Sequence, residues 1–427
     1  MKRALFKLAF FLKNKFPKIY YILLKFAKNK FSSFFGTYPY PVRNEIAEVE
    51  KVLKSSQWNM AYGRNLNHEY LEAEFSEYIG VPHAIAVGSG GLALQMSMRA
   101  LGLKPGDEVI HQVDSCSASA QSVMNAGLNP VFSDISKETL MFDFSDLRGL
   151  LNSNTKAIMP THMWGNCENI NEVCELSKKK ELFVIEDGCL SLGASYDNKM
   201  VGSFGDVGVF SFGCVKPVQG GEGGMIVCSD EGLAKELKSM RHWGDRTIEY
   251  GERNVNQLSW NGRMSEIVSA VVREQFQSYP KHLENIRNQV IIFNSYLEKI
   301  EGLEISLGTN NNIQESVFTQ VVVKINDKIY DKSILFELLK KDGIQLWHAN
   351  FELITTLNLF KNDVWKEWLY KGNLDFLNSN YKRNYMNAND IFKKAGIGFG
   401  KMNFMSVGNL NNLIKSLDVN LNKSIIK

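Results

Sequence analysis

LFVIEDGCLSLGASYDNKMVGSFGDVGVFSFGCVKPVQGGEGGMIVC, residues 182–228, is the stretch whose reading decides the fold. An apolar run, Leu182 to Ile185, ends in two carboxylates, Glu186 and Asp187. A second β-rich run, Val207 to Phe212, leads to Lys216, a lone lysine between apolar residues. The GGEGG loop (220–224) follows at once, and then a third strand from Met225. An acid at a strand end and a lysine in a tight loop point to pyridoxal phosphate. In that chemistry a lysine amine joins the cofactor aldehyde, and an Asp pairs with the pyridinium nitrogen so that the ring acts as an electron sink.

Outward from this stretch the chain alternates. Upstream, the apolar strand Ala84–Val87 runs into GSGG (88–91) and a helical pattern over Leu92–Leu101. Backbone N–H groups at such a helix start point toward an anion, and glycine lets a phosphate approach closely. No GxGxxG fingerprint is present, which disfavours a Rossmann dinucleotide site. Between the two stretches the spacing predicts strand Glu108–Gln112, helix Ala118–Ala126, strands Pro130–Ser133 and Ala157–Pro160, and helix Asn171–Lys178. Strands alternating with helices imply parallel βαβ units with helices on both sheet faces. Ligands in such sheets sit at strand carboxyl ends. Gly88–Gly91, His162–Gly165, Asp187 and the lysine loop all follow strands and are expected to converge on one edge.

Downstream the pattern turns helical from Glu231. It is helical again from about Ser265, and a long helix over about Leu283–Ile300 leads into a smaller α+β domain. There Ser316–Ile325 and Ile344–His348 read as strands flanking a helix at Lys332–Lys340. The expected organisation is a basic N-terminal arm (1–34), a large α/β domain (35–280) and a small C-terminal domain (281–427). Upstream of the glycine loop, residues 39–78 read as helices interrupted by a polar break at Trp58–Arg64.

At 427 residues the chain holds more than one domain on a scale of roughly 100–200 residues each. A hydrophobic content of 44% with 22% charged residues is that of a globular protein and excludes a multi-span membrane protein. The net charge of +3 is uneven: residues 1–34 carry nine Lys or Arg and no acid, leaving 40 bases against 46 acids. A mildly acidic body gives no electrostatic footprint for nucleic acid.

The arm's longest apolar run, Ile19–Leu24, falls far short of the about 20 residues that cross a bilayer. Its basic, partly two-faced pattern, split by Pro17, fits either a helix lying on an anionic membrane surface or a helix packed on protein. Six scattered cysteines without C-x-x-C or zinc spacing read as reduced thiols of a cytoplasmic protein and offer no metal site.

The run EDGCLSLGASYDNKMVGSFGDVGVFSF, with its following lysine and GGEGGMIV, resembles the pyridoxal-phosphate sugar aminotransferases of the DegT or StrS family. That family lies within the fold type I, aspartate aminotransferase superfamily. The similarity covers about residues 38–420 and is strongest over 84–275. It implies a large domain with a mostly parallel sheet flanked by helices, plus a smaller C-terminal α+β domain. Lys216 is implied to hold the cofactor and to shuttle protons at the substrate carbon, and Asp187 to partner the pyridinium nitrogen.

Ser211 and Gly90–Gly91 resemble the phosphate cup. The NGRM motif places Asn261 where the family reaches the cofactor phosphate of a neighbouring subunit, implying a homodimer with shared active sites. Sugar dehydratases of this family carry His at the lysine position, so Lys216 favours transamination. Three positions depart from the family: Gly91 replaces a Thr, Cys116 stands where an aromatic ring stacks on the pyridine, and Leu190 replaces a Gln that meets the cofactor ring oxygen. Leu190 or Cys116 could instead shape an unusual substrate slot.

The resemblance implies an enzyme that moves an amino group, from glutamate, onto a nucleotide-linked keto-sugar for cell-surface polysaccharide or related sugars. Such an enzyme is cytoplasmic, or peripheral on the inner membrane face through its arm. Arg241, His242, Trp243, Arg246 and His348 are the candidates for meeting the nucleotide. A cyclitol ketone as acceptor, or a non-catalytic homologue acting as a binding protein, are the alternatives.

Overall fold

The computed structural model describes residues 44–58, 60, 66–167, 169–214, 216–245, 255, 257–306, 312–348, 353–368, 372–389, 396–404 and 406–426. The basic arm, the Pro39–Arg43 start of the first helical pattern and Arg246 lie outside them, as does most of the polar break after Trp58.

Strands β1 (His83–Val87), β2 (Glu108–Gln112), β3 (Asn129–Ser133), β4 (Thr155–Ile158) and β5 (Phe183–Asp187) alternate with helices along the chain. A small hairpin follows, β6 (Ser195–Tyr196) and β7 (Lys199–Met200). Its turn residues Asp197 and Asn198 both have φ > 0, as a tight hairpin turn requires. Then come β8 (Val207–Ser211) and β9 (Gly224–Cys228). Seven of these form one sheet in the order β1-β9-β8-β5-β4-β2-β3. Only β9 runs against its neighbours, so β1, β8, β5, β4 and β2 end on the same edge.

Side-chain alternation explains why both faces are covered. Val109, Ala157, Ile185, Val207, Val209 and Ile226 face the helices Gly90–Ala100, Ser117–Asn125 and Glu231–Arg241. Ile110, Ile158, Val184, Phe210 and Met225 face the other way, into a core with Phe75, Phe212 and Phe276. Phe75 is fully buried and meets the rings of Phe210, Phe212 and Phe276 at 5.1–6.0 Å between centroids. Each such aromatic pair adds about 0.5–1.5 kcal/mol beyond area burial.

The two helices expected around Ser265 and Leu283 are one continuous helix, Glu266–Leu297, with Pro280 inside it. A proline removes one backbone hydrogen bond. The apolar stripe Phe276, Tyr279, Leu283, Ile286, Val290 and Phe293 is buried along its whole length and holds the helix together across that gap. The same stripe passes from the core of the large sheet to a second core. That core is built on an antiparallel sheet of β10 (Leu303–Ile305), β11 (Gln320–Ile325), β12 (Leu346–His348) and β13 (Ile397–Gly400), in the order β10-β11-β13-β12. The helices Lys332–Lys341 and Val407–Leu421 cover it.

Residues 353–368 and 372–388 return to the large sheet. Leu353, Ile354, Phe360, Trp365, Leu377, Tyr381 and Tyr385 join its core. The helix Leu374–Lys382 covers the free edge of β3. Asn380 accepts from the Phe132 N–H and donates to the Phe132 carbonyl, both at 2.9 Å, much as a neighbouring strand would. Among the described residues no helix is long and apolar enough to cross a membrane.

Candidate active site

β5 extends through both carboxylates instead of stopping before them, and the pleat sends them to opposite faces. Glu186 turns into the fold. Its oxygens accept from the N–H groups of Gly202 (2.8 Å), Phe204 (2.7 Å) and Gly205 (2.7 Å), and it meets His162 Nε2 at 3.2 Å. It is a clamp on the turn that leads into β8. Asp187, on the opposite face, is 3% exposed. Ser119 Oγ donates to its Oδ2 at 2.8 Å, and the Cys189 N–H donates to its Oδ1 at 3.2 Å. These two bonds aim a carboxylate out of the end of the strand.

Ser211, the last residue of β8, lies on the same face as Val207 and Val209 and so beside Asp187. The glycine loop closes on it. A Cβ built on Gly90 would meet Ser211 Cβ at 2.7 Å and Cys189 Sγ at 3.1 Å, which only glycine avoids. Ser89 caps the helix, its Oγ accepting from the Leu92 N–H at 3.2 Å. The first bond back along the helix comes from the Ala93 N–H to the Ser89 carbonyl, so the amides of Gly90 and Gly91 stand in its first turn ahead of the ladder. At Gly91 an added Cβ would meet nothing nearer than Ser122 Oγ at 3.6 Å.

Lys216 is half-buried in the loop after β8, its N–H donating to the Gly213 carbonyl at 3.2 Å. The loop is pinned at its root. Gly213 bridges Gly221, and the Gly220 N–H donates to the Phe212 carbonyl at 2.9 Å. Cys189 lies at the centre of the group. Its thiol is held well above the usual thiol range, first by burial and then by the Asp187 charge, with Lys216 acting in the opposite sense. Cys116 also acts on Cys189, while itself being an exposed residue at the N-cap of the helix Ser117–Asn125.

Gly90, Ser211, Asp187, Lys216 and Cys116 are thus drawn together around Cys189, a residue sequence reasoning did not select. Leu190 points elsewhere: it packs against a cluster of Leu140, Met141, Met163, Trp164 and Val322 on the side of the small sheet, and its carbonyl accepts from Thr319 Oγ1. Asn261 is exposed on a stretch beside the glycine loop, where the Gly88 N–H donates to the Gly262 carbonyl at 2.9 Å.

The nucleotide candidates separate just as clearly. Arg241 is buried and bound to Glu72 (2.5 Å) and to the Ala86 carbonyl (3.1 Å). Burial, with Arg241 and Arg263 nearby, lowers the His242 pKa to about 4, so it is neutral at physiological pH. Trp243 is half exposed. The side chain of His348 and all of Arg246 lie outside the described residues.

Sequence reasoning also passed over two buried groups at the end of β2. His111, on the face of Asp187, has its pKa lowered to about 4 by burial, and the carboxyl of Asp114 is pushed up to about 8 by burial alone. Among the described residues Asp114 Oδ1 and His111 Nε2 have no hydrogen-bond partner. Nothing local marks Ser119, Cys189 or these two as site residues, because their contacts are set by strand register.

A phosphate-bearing pyridoxal fits this arrangement. Helix amides and Ser211 would hold the phosphate, Asp187 the ring nitrogen and Lys216 the aldehyde. The fit rests on the bare Gly90–Gly91 cradle and on a buried carboxylate aimed by two donors at the same strand edge as the lysine. Among the described residues there is no cluster of metal-ligating side chains.

The sequence profile of the DegT/DnrJ/EryC1/StrS aminotransferase family matches residues 40–368. The chain is 37% identical to a GDP-perosamine synthase of Caulobacter vibrioides over 53% of its own length and 60% of that protein's. It is 30% identical to a UDP-N-acetyl-3-dehydro-α-D-glucosamine 3-aminotransferase of Acidithiobacillus ferrooxidans, covering 69% of this chain and 78% of the relative. In three dimensions it is similar to Helicobacter pylori PseC, an aminotransferase involved in pseudoaminic acid biosynthesis. The TM-score is 0.78 at 24% identity, over 90% of this chain and 98% of the other.

Proposed function

Because the chain belongs to the DegT/DnrJ/EryC1/StrS aminotransferase family, we propose that it uses pyridoxal phosphate to transfer an amino group, from glutamate, to a nucleotide-linked keto-sugar. The observation that carries this reading is the convergence of Asp187, Ser211, Lys216 and the bare Gly90–Gly91 cradle on one sheet edge. Relatives whose names specify GDP- and UDP-linked sugars support the substrate class.

The bound cofactor supplies an electron sink for the substrate carbon. Asp187, fixed by Ser119 and the Cys189 amide, would be the group that meets the ring nitrogen. Lys216 Nζ would hold and move the proton at the substrate carbon, a role worth about 10²–10⁴-fold in rate. Gly90, Gly91 and Ser211 bind the phosphate at the positive end of the helix.

The departures at Gly91 and Cys116 leave this machinery in place and remove cofactor contacts around it, whereas Leu190 packs away from it against Met163, Trp164 and Val322. Asn261 completes the phosphate site of a second subunit in a homodimer. The protein works in the cytoplasm on cell-surface polysaccharide precursors, and its arm of nine bases without an acid touches anionic lipid of the inner face.

The test uses purified full-length protein with pyridoxal phosphate. A lysine-bound absorbance band should form, glutamate should bleach it, and Lys216→Ala should lack it. The amino product should appear by mass when nucleotide-linked keto-sugars are supplied. No band at saturating cofactor would favour a binding protein over an enzyme. Equal partitioning of full-length and arm-deleted protein onto anionic vesicles would remove the membrane proposal.

A further inference from the structure

Just past the end of β4 stands a buried hydroxyl that the fold does not use. Thr161 is almost wholly buried, and its Oγ1 has no hydrogen-bond partner among the described residues. Burying a hydroxyl without a partner is costly, so one kept in place points to a group that the chain itself does not supply. The backbone around it is fixed from both sides. Gln112 Oε1 accepts from the Thr161 N–H at 2.9 Å, and Gln112 Nε2 donates to the Thr161 carbonyl at 3.0 Å. On the other side Thr161 bridges Asp187 in parallel register. The Asp187 N–H donates to the Pro160 carbonyl at 2.9 Å, and the His162 N–H to the Asp187 carbonyl at 3.1 Å.

Residues in register on neighbouring parallel strands project to the same face. Met159 and Ile185, two residues earlier on each strand, do so and share a core. Thr161 therefore projects beside Asp187, one strand spacing of about 4.8 Å away. Resting on the function proposed above, Asp187 meets the nitrogen end of the pyridoxal ring and Lys216 the aldehyde end. Across that axis the ring carries its phosphate arm on one side and its own oxygen on the other. The phosphate cradle, Ser211 on β8 and Gly90–Gly91 after β1, lies to one side of β5 in the sheet, and β4 lies to the other. The ring oxygen is thus turned toward β4. Leu190 packs away from this place. His111 and Asp114 also carry unpartnered atoms, but they belong to β2 and its continuation, a strand farther from Asp187.

We propose that Thr161 is the residue that meets the ring oxygen of pyridoxal phosphate. Its hydroxyl donates to that oxygen, the acceptor which the buried Oγ1 lacks within the chain, and so holds the ring on the side opposite the phosphate.

Calorimetry on cofactor-free, full-length protein tests this without any turnover, using pyridoxal phosphate and 3-deoxypyridoxal phosphate, the analogue that lacks the ring oxygen. Thr161→Val keeps the shape and removes the hydroxyl. It should weaken pyridoxal phosphate binding about tenfold or more, the loss of a bond to a charged group, and leave binding of the analogue unchanged. Thr161→Ser keeps a hydroxyl and should bind both compounds nearly as wild type does. Because Oγ1 bonds nothing within the chain, cofactor-free Thr161→Val should melt no lower than wild type.

The proposal is overturned if Thr161→Val binds pyridoxal phosphate as wild type does, or if it loses affinity for both compounds by the same factor. A lower melting temperature of the cofactor-free variant would also overturn it, by making the hydroxyl a part of the packing. Failure of the underlying reading shows separately, as wild-type protein that binds neither compound.

Discussion

Two adjacent glycines, Gly90 and Gly91, should respond in opposite ways to the same added methyl group. In Gly90→Ala the new Cβ falls 2.7 Å from Ser211 Cβ and 3.1 Å from Cys189 Sγ. Carbon atoms rest at about 3.5–4.0 Å, so the gap must open by roughly 1 Å. Ser211 cannot retreat, because β8 is hydrogen-bonded between β5 and β9. The displacement therefore falls on the start of the helix Gly90–Ala100, where the phosphate would sit. Overpacking costs about 1–3 kcal/mol, offset by up to about 1 kcal/mol of helix propensity, leaving a net loss of roughly 0–3 kcal/mol. Moving the amides loses a charge-assisted bond worth about 1.5–3 kcal/mol, or about tenfold or more in cofactor affinity. In Gly91→Ala the Cβ meets only Ser122 Oγ at 3.6 Å, an ordinary contact, so the propensity gain survives and cofactor affinity stays near wild type. Urea unfolding gives the stability of each variant, and titration of the absorbance band gives its affinity for pyridoxal phosphate. If the two variants move together in both measurements, the closure of Gly90 against Ser211 and Cys189 does not shape the cradle.

The remaining predictions concern Asp114 and Leu190. Asp114 ionises near 4 in the unfolded chain and near 8 in the fold, so the native state holds the extra proton and stability falls as pH rises through that window. The loss is at most on the order of 5 kcal/mol. Asp114→Asn should remove that slope, so urea unfolding at about pH 5 and about pH 8.5 should show the variant gaining on wild type at the higher pH; an equal difference at both would refute it. Leu190→Gln restores the residue common in the family, but it places an amide among Met163, Trp164 and Val322. It should cost about 1–3 kcal/mol and bring no gain in cofactor affinity. Tighter cofactor binding by this variant would show that position 190 faces the ring after all.

Much of the fold could be read from the order of the motifs. Apolar runs closed by glycine or a polar break, alternating with helical patterns, specify parallel βαβ units because a buried sheet needs cover on both faces. The strand ends at Val87, Asp187 and Ser211 fell close to where those patterns place them. Local pattern could not bring together residues far apart in sequence. Ser119 reaches Asp187 only through the register of β2, β4 and β5. Cys189 becomes the centre of the site only because the Gly90 loop closes on β8. Residues 353–388 carry no motif, and it is the unpaired edge of β3 that gives Asn380 its place.

The opening stretch, 182–228, shows the same division. Its sequence alone determined that a strand ends in carboxylates and that a lysine loop lies ahead of a glycine run. Which carboxylate serves the site was a tertiary decision. Successive residues of a strand point to opposite faces, so Asp187 meets the helix bearing Ser119 while Glu186 is spent on the turn at 202–205.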